Sequence, residues 1–179
     1  TLAPDALAKL KEWTNNGGTL IATGNAYRLT NKAKITDFKL LSSEKEDEKS
    51  KGNASIEYRP YHSTEKASAG IDGVIFNCTL DITSPLGYGY SHPEVAVLKN
   101  GATVMDFSQI KGNSPMHYTK QPYLSGCVSQ KNINRIANSP AALVTKSGKG
   151  NVIWFADDLN YRSYWFGGTK IFMNAVYFG

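Results

Sequence analysis

Apolar positions follow several rhythms along this chain, and each predicts an element. Leu7, Leu10 and Trp13 recur at i, i+3 and i+6 around Ala6 and Ala8, behind Pro4, which suits a first helical turn. Asn15-Asn16-Gly17-Gly18 stops that amphipathic helix, because Asn and Gly accept the left-handed conformation that helix ends use. Thr19 to Thr23 is then continuously apolar between its threonines, the pattern of a strand covered on both faces of a parallel sheet. Gly24-Asn25-Ala26 is the turn into a second helix. Helix, strand, tight turn, helix is the unit of a doubly wound α/β fold.

From Ser42 to Ala54 there is no apolar anchor, which predicts an exposed, mobile loop. A β-rich middle follows. Asp72 to Asp81 and Val95 to Leu98 have strand composition, and Lys99-Asn100-Gly101-Ala102 reads as a turn into a further strand at Thr103-Val104-Met105. The last third returns to α/β, with a short helix over Ser129 to Ala137. Strands at Ala141 to Thr145 and Asn151 to Ala156 are joined by the turn Ser147-Gly148-Lys149-Gly150, a hairpin expected at the sheet edge. A closing helix, Thr169 to Tyr177, presents Ile171, Phe172, Ala175 and Val176 to the sheet.

Size and charge narrow the classes. A chain of 179 residues predicts one domain at about 150 residues per domain. Apolar runs such as Val152 to Ala156 fall far short of the roughly 20 residues that span a bilayer. The net charge is +5, but the Lys and Arg residues are scattered singly and the densest charge run, Glu44 to Lys51, is mixed in sign. A nucleic-acid binder concentrates its basic residues on a stripe or helix, so nucleic acid is not the expected partner.

Candidate chemistry is sparse. Cys78 and Cys127 have no CxxC spacing; they either pair in one disulfide or stay as two buried thiols. His62 and Glu65 have the spacing of a His-x-x-Glu metal pair, but neither His92 nor His117 has a context marking it as a third ligand, so a solvated loop is the preferred reading. The turn Thr23-Gly24-Asn25 stands where doubly wound folds place a nucleophile or phosphate, yet no Cys, GxSxG, GxGxxG or Walker pattern is there. Asp157, Asp158 and Arg162 follow a strand end, where α/β sheets bind ligands. The two carboxylates either act as acid and base, with His92 as a partner, or bind a cation; alternatively Asp158 caps a turn and pairs with Arg162. Tyr88 and Tyr90, in Pro85-Leu86-Gly87-Tyr88-Gly89-Tyr90-Ser91-His92, either line a cleft or are ordinary turn packing.

Several stretches taken in order carry a family resemblance: Leu10 to Gly24, Leu80-Asp81 with Pro85 to Tyr90, Tyr123 to Ser129, Gly148 to Asp157 and Tyr161 to Gly167. Together they resemble the C-terminal domain of bacterial zinc carboxypeptidases of the carboxypeptidase A type, a domain similar in fold to class I glutamine amidotransferases. The resemblance implies a single flavodoxin-like α/β domain over residues 1–179. Its sheet would lack the first strand or strands, carry flanking helices and hold a β-rich middle insertion. It implies a piece of a longer secreted or periplasmic peptidase, whose upstream domain holds the zinc and is the presumed partner. The amidotransferase pattern expects a Cys at the elbow, and neither Cys78 nor Cys127 replaces the one missing at Thr23-Gly24-Asn25. No zinc ligation carries over to His62 or Glu65. The implied role is a non-catalytic accessory domain that binds peptide or glycan, or docks on its peptidase, through Tyr88, Tyr90, Asp157, Asp158 and Arg162. The rival is a hydrolase using Asp157 and Asp158 with His92.

Overall fold

The computed structural model describes residues 2–41, 70–106, 112–163 and 165–179. The expected loop over 42–54 and the pair His62 and Glu65 lie outside them. Helix α1 (Pro4–Asn15) leads into β1 (Thr19–Thr23), a 3-10 turn (Gly24–Ala26) and α2 (Tyr27–Lys32). Strands β2 (Asp72–Leu80), β3 (Glu94–Asn100) and β4 (Asn113–Ser125) follow, then α3 (Gln130–Ile136), β5 (Pro140–Ser147), β6 (Gly150–Phe155) and α4 (Phe166–Phe178). The six strands form one sheet in the order β1-β6-β5-β4-β2-β3. Only β1 and β6 run parallel; the other neighbours are antiparallel. The chain is a mixed α/β domain with flanking helices.

The opening unit forms as its pattern predicts. Gly17 ends α1 with φ +117°, and Gly24 turns the chain after β1 with φ +48°. Ser129 caps α3, its Oγ accepting from the Asn132 N–H at 3.3 Å. Leu7 with Val152, Ala33 and Ile35 forms a small cluster beneath α1 and α2. On α4, Ile171 and Ala175 reach the main core.

Five expectations need correction. The β5–β6 hairpin forms with Ser147 opposite Gly150, but it lies inside the sheet, because β6 also pairs with β1; its nearly continuous burial is that of interior strands. The edge on that side is β1, of which only Ala22 is buried, and the opposite edge is β3. No strand forms at Thr103 to Met105; Met105 makes a single bridge to Leu40, and β3 instead runs through Lys99 to Asn100. Trp13 is exposed and lies over Gly18, whereas Thr14 is buried and donates to the Leu10 carbonyl at 2.8 Å. Val176 is exposed, and the helical position that is buried instead holds Asn174.

The sheet is strongly curled. Between β3 and β6 lie three strands, so a flat sheet would separate them by about 19 Å at the usual strand spacing. Yet Lys99 on β3 touches Asp157, two residues beyond β6, at 2.9 Å. The curl also brings Thr103 within 3.0 Å of Asn25 at the elbow after β1. Helix α4 runs from beside β3, where Trp165 Nε1 donates to the Ala96 carbonyl, to beside β1, where Thr19 Oγ1 donates to the Gly179 carbonyl.

Candidate functional site

Inside the curl three polar side chains close a ring. Lys99 Nζ donates to Asp157 Oδ1 at 2.9 Å and to the Tyr118 hydroxyl at 3.0 Å, and Tyr118 in turn donates to Asp157 Oδ2. Each comes from a different part of the sheet: the edge strand β3, the central strand β4 and the end of β6. On β3, Val95, Val97 and Lys99 alternate onto one buried face, so the ammonium follows two valines inward. Tyr118 stands opposite Cys78 of β2 and packs its ring edge-on against Phe76. The Lys99 ammonium also lies 5.2 Å from the Tyr118 ring centroid.

Burial governs the protonation of the Tyr118 hydroxyl and of the neighbouring Cys78 thiol. Burial, reinforced by the Asp157 carboxylate, pushes the Tyr118 hydroxyl well above its ordinary pKa. It therefore stays a donor. Burial, again with Asp157 and against Lys99, pushes the Cys78 thiol well above its ordinary value. A thiol so held is not a nucleophile. The Lys99 and Asp157 side chains are 0% and 1% exposed, so the ring is a closed polar core.

The other expected residues are dispersed. Asp158, next to Asp157, is exposed and accepts from the Asn160 N–H at 3.1 Å, the local turn cap. The two carboxylates point to different environments, one buried and one exposed. Arg162 is exposed, with φ +51°, and its guanidinium sits over the Tyr161 ring rather than on a described Asp158 bond. His92 is exposed ahead of β3, whereas Lys99 is near its far end; the five strand steps from Glu94 to Lys99 alone span about 17 Å. His92 is thus distant from the residue that holds Asp157. Cys127 is exposed and Cys78 buried, both free, which corrects the expectation of a disulfide or two buried thiols.

At the elbow, the Gly24 carbonyl and the Asn25 side-chain oxygen are engaged within the fold. Trp154 Nε1 donates to the Gly24 carbonyl at 2.9 Å, and Asn25 Oδ1 accepts from Thr103. Tyr88 and Tyr90 lie beside α4. Tyr90 donates to the Gly167 carbonyl at 2.9 Å with Lys170 over its ring, and Tyr88 meets Phe178 edge-on at 5.5 Å. Asn174 holds this loop by donating to the carbonyls of Leu86 and Tyr88, at 2.9 Å each. Among the described residues no group of three or more His, Cys, Asp or Glu side chains could hold a metal ion. No helix among them is long and apolar enough to cross a membrane.

Sequence reasoning found Asp157 from its strand-end position but missed Lys99 and Tyr118. The alternation Val95, Val97, Lys99 was the available signal for the first.

The fold defines a mixed α/β domain built around this closed polar core. No protein-family model matches the chain, and no curated protein matches it. Among solved structures it is similar to a cytoplasmic protein from Salmonella typhimurium. That match has a TM-score of 0.54 and 14% identity, covering 99% of this chain and 61% of that one. The chain thus spans about three fifths of that protein's length, and the likeness is one of fold. A GH42 β-galactosidase also matches, at TM-score 0.33 and 16% identity, over 88% of this chain and 17% of that one.

Proposed function

We propose that the chain is a non-catalytic accessory domain, and that its parent is a secreted or periplasmic zinc carboxypeptidase whose upstream domain carries the zinc. The supporting observation is the closure of its polar centre: Lys99, Asp157 and Tyr118 satisfy one another out of reach of solvent. General acid–base work requires a group within hydrogen-bond reach of the substrate, whereas both Asp157 oxygens already accept a bond and the side chain is buried. The elbow Thr23-Gly24-Asn25 holds no thiol, and its Gly24 carbonyl and Asn25 side chain serve the fold.

On this reading the domain works by contact. The loop with Tyr88 and Tyr90 and the segment with Asp158 and Arg162 flank α4, on the outside of the domain, and meet the peptidase domain or its peptide or glycan substrate. The flavodoxin-like relationship belongs to the same proposal; it rests on the helix–strand–turn–helix opening and the parallel β1–β6 pair.

The test is an assay of the purified 179 residues for ammonia release from glutamine and for amino-acid release from peptides. No turnover is expected. Turnover abolished by Asn25→Ala or Asp158→Ala, at surface side chains, would overturn the accessory reading. The parentage is tested separately by the residues encoded before Thr1: a zinc-ligand His-x-x-Glu with a later His is expected, and an unrelated upstream sequence refutes it.

A further inference from the structure

Strand β1 stands at the edge of the sheet but is packed like an interior strand. Leu20 lies with Leu7, Leu10 and Val152 in the cluster beneath α1, and Ile21 and Ala22 lie on the main core, so side chains of β1 pack on both clusters. What stays open is its backbone. The Asn151 N–H donates to the Gly18 carbonyl at 3.3 Å, which turns the peptide groups of Gly18, Leu20 and Ala22 towards β6. Those of Thr19, Ile21 and Thr23 therefore face outwards. Among the described residues, none of these outward N–H and C=O groups has a backbone partner.

The opposite edge is guarded. On β3 the Ala96 carbonyl is capped by Trp165 Nε1 at 3.1 Å, Lys99 points a charge inwards, and the pairing with β2 is irregular between Asp72 and Val74. Inward charges, bulges and covered backbone are the devices by which a sheet refuses further strands. Strand β1 has none of them. Thr19-Leu20-Ile21-Ala22-Thr23 carries no charge and no proline, and its register with β6 is unbroken from end to end. An unguarded row of peptide groups beside packed side chains is satisfied by one kind of occupant, the backbone of another strand.

We propose that a seventh strand, encoded ahead of α1 in the longer protein, pairs parallel with β1 along this edge. Helix α1 sets the direction. A neighbour joined to β1 by a tight turn would run antiparallel, whereas a parallel neighbour needs a crossover of a dozen or more residues, usually a helix. The 12 residues of α1 lead into β1 and place Leu7 and Leu10 in the cluster of Leu20 and Val152, as such a crossover does. Because β6 fills the inner side of β1, the outer side is the free place. The added strand extends both clusters with alternate residues, so it should be a short uncharged run rich in Val, Ile and Leu. This pairing rests on the chain being part of a longer protein, as proposed above; it adds which edge is completed, in which direction and through which peptide groups.

Amide hydrogen exchange, read residue by residue by NMR, tests it on the 179-residue chain and on the same chain extended by about thirty residues of its encoded upstream sequence. In the shorter chain the Leu20 and Ala22 amides are protected and those of Ile21 and Thr23 exchange freely. In the extended chain Ile21 and Thr23 should slow at least about a hundred-fold. Prolines at two successive positions of the upstream run remove ladder donors without touching residues 1–179, and should return Ile21 and Thr23 to fast exchange while Leu20 and Ala22 stay protected. Equal rates at Ile21 and Thr23 in the two chains overturn the proposal, as does protection that survives both prolines or an upstream sequence with no such run. An upstream sequence that protects β1 but lacks the zinc-ligand pattern defeats the parentage and leaves the seventh strand standing, so the two failures are distinguishable.

Discussion

Replacing Lys99 with Met keeps the aliphatic stem and removes the ammonium, leaving Asp157 inside the sheet with only Tyr118 to answer it. The two charged side chains are 0% and 1% exposed, so water screens neither. Breaking a buried pair from one side costs about 3–5 kcal/mol. At roughly 2–4 °C per kcal/mol for a domain of this size, the unfolding midpoint should fall by about 6–20 °C. Asp157→Leu should cost a similar amount, because it strands the ammonium and removes the acceptor of Tyr118. Combining Lys99→Met with Asp157→Leu removes both charges and leaves the Tyr118 hydroxyl as the one unpaired group, worth about 1–3 kcal/mol. Adding Tyr118→Phe should then bring stability back towards the parent. The measurement is a double-mutant cycle by urea unfolding, followed by tryptophan fluorescence and circular dichroism with m held constant. Single variants that each cost under about 1 kcal/mol, or a double variant as destabilised as the sum of the singles, would refute the closed ring.

Alkali should destabilise the domain through the same core. Cys78 and Tyr118 are both raised in the folded state, so above their ordinary values of 9.0 and 10.0 the unfolded chain releases protons that the folded chain retains. Stability present below pH 9 is therefore lost as pH rises, with a slope approaching about 1.4 kcal/mol per pH unit per group; Cys78→Ala should remove the earlier part of the fall and Tyr118→Phe the later part in a pH series of urea midpoints. Of the two thiols, only Cys127 should react with a thiol reagent in the native state, and Cys78 should react only on unfolding; two equally fast thiols would contradict the buried position of Cys78. Gly150→Ala should cost about 1–3 kcal/mol or more in thermal unfolding, because a Cβ there meets the carbonyl oxygens of Thr14 and Gly18 where α1 ends against β6; a neutral substitution would mean those segments are not in contact.

Local elements were largely legible. The α1 and α3 stretches, the Gly24 turn and the β5–β6 hairpin follow from periodicity, capping and glycine at positive φ, which depend on near neighbours in the chain. Strand β4, the longest, was not. Pro115 and Pro122 argue against an interior strand, since proline lacks the donor the ladder needs. The structure tolerates them because β4 pairs with both neighbours through register shifts that interrupt the ladder. Lys99 was misread for a related reason: Lys-Asn-Gly is turn chemistry, but the bulge between Asp72 and Val74 lets β3 continue beside β2 to Asn100. The helix at the end was placed correctly and Ile171, Phe172 and Ala175 pack on the core as expected; Val176 does not, and the buried position beside them is held by Asn174, whose amide is satisfied on the carbonyls of Leu86 and Tyr88.

By itself, then, the amino-acid sequence determined an α/β chain of modest dispersed charge, its turns, the alternation of its strands and the absence of a nucleophile at the elbow. Tertiary structure alone decided that the first strand is an edge, that the last hairpin is interior, and that Lys99, Tyr118 and Asp157 meet. Those residues are 19 and 39 positions apart. No local preference relates them; only the curl of the six-stranded sheet does, and curl is a sum of strand twists and register shifts over the whole sheet rather than a property of any segment.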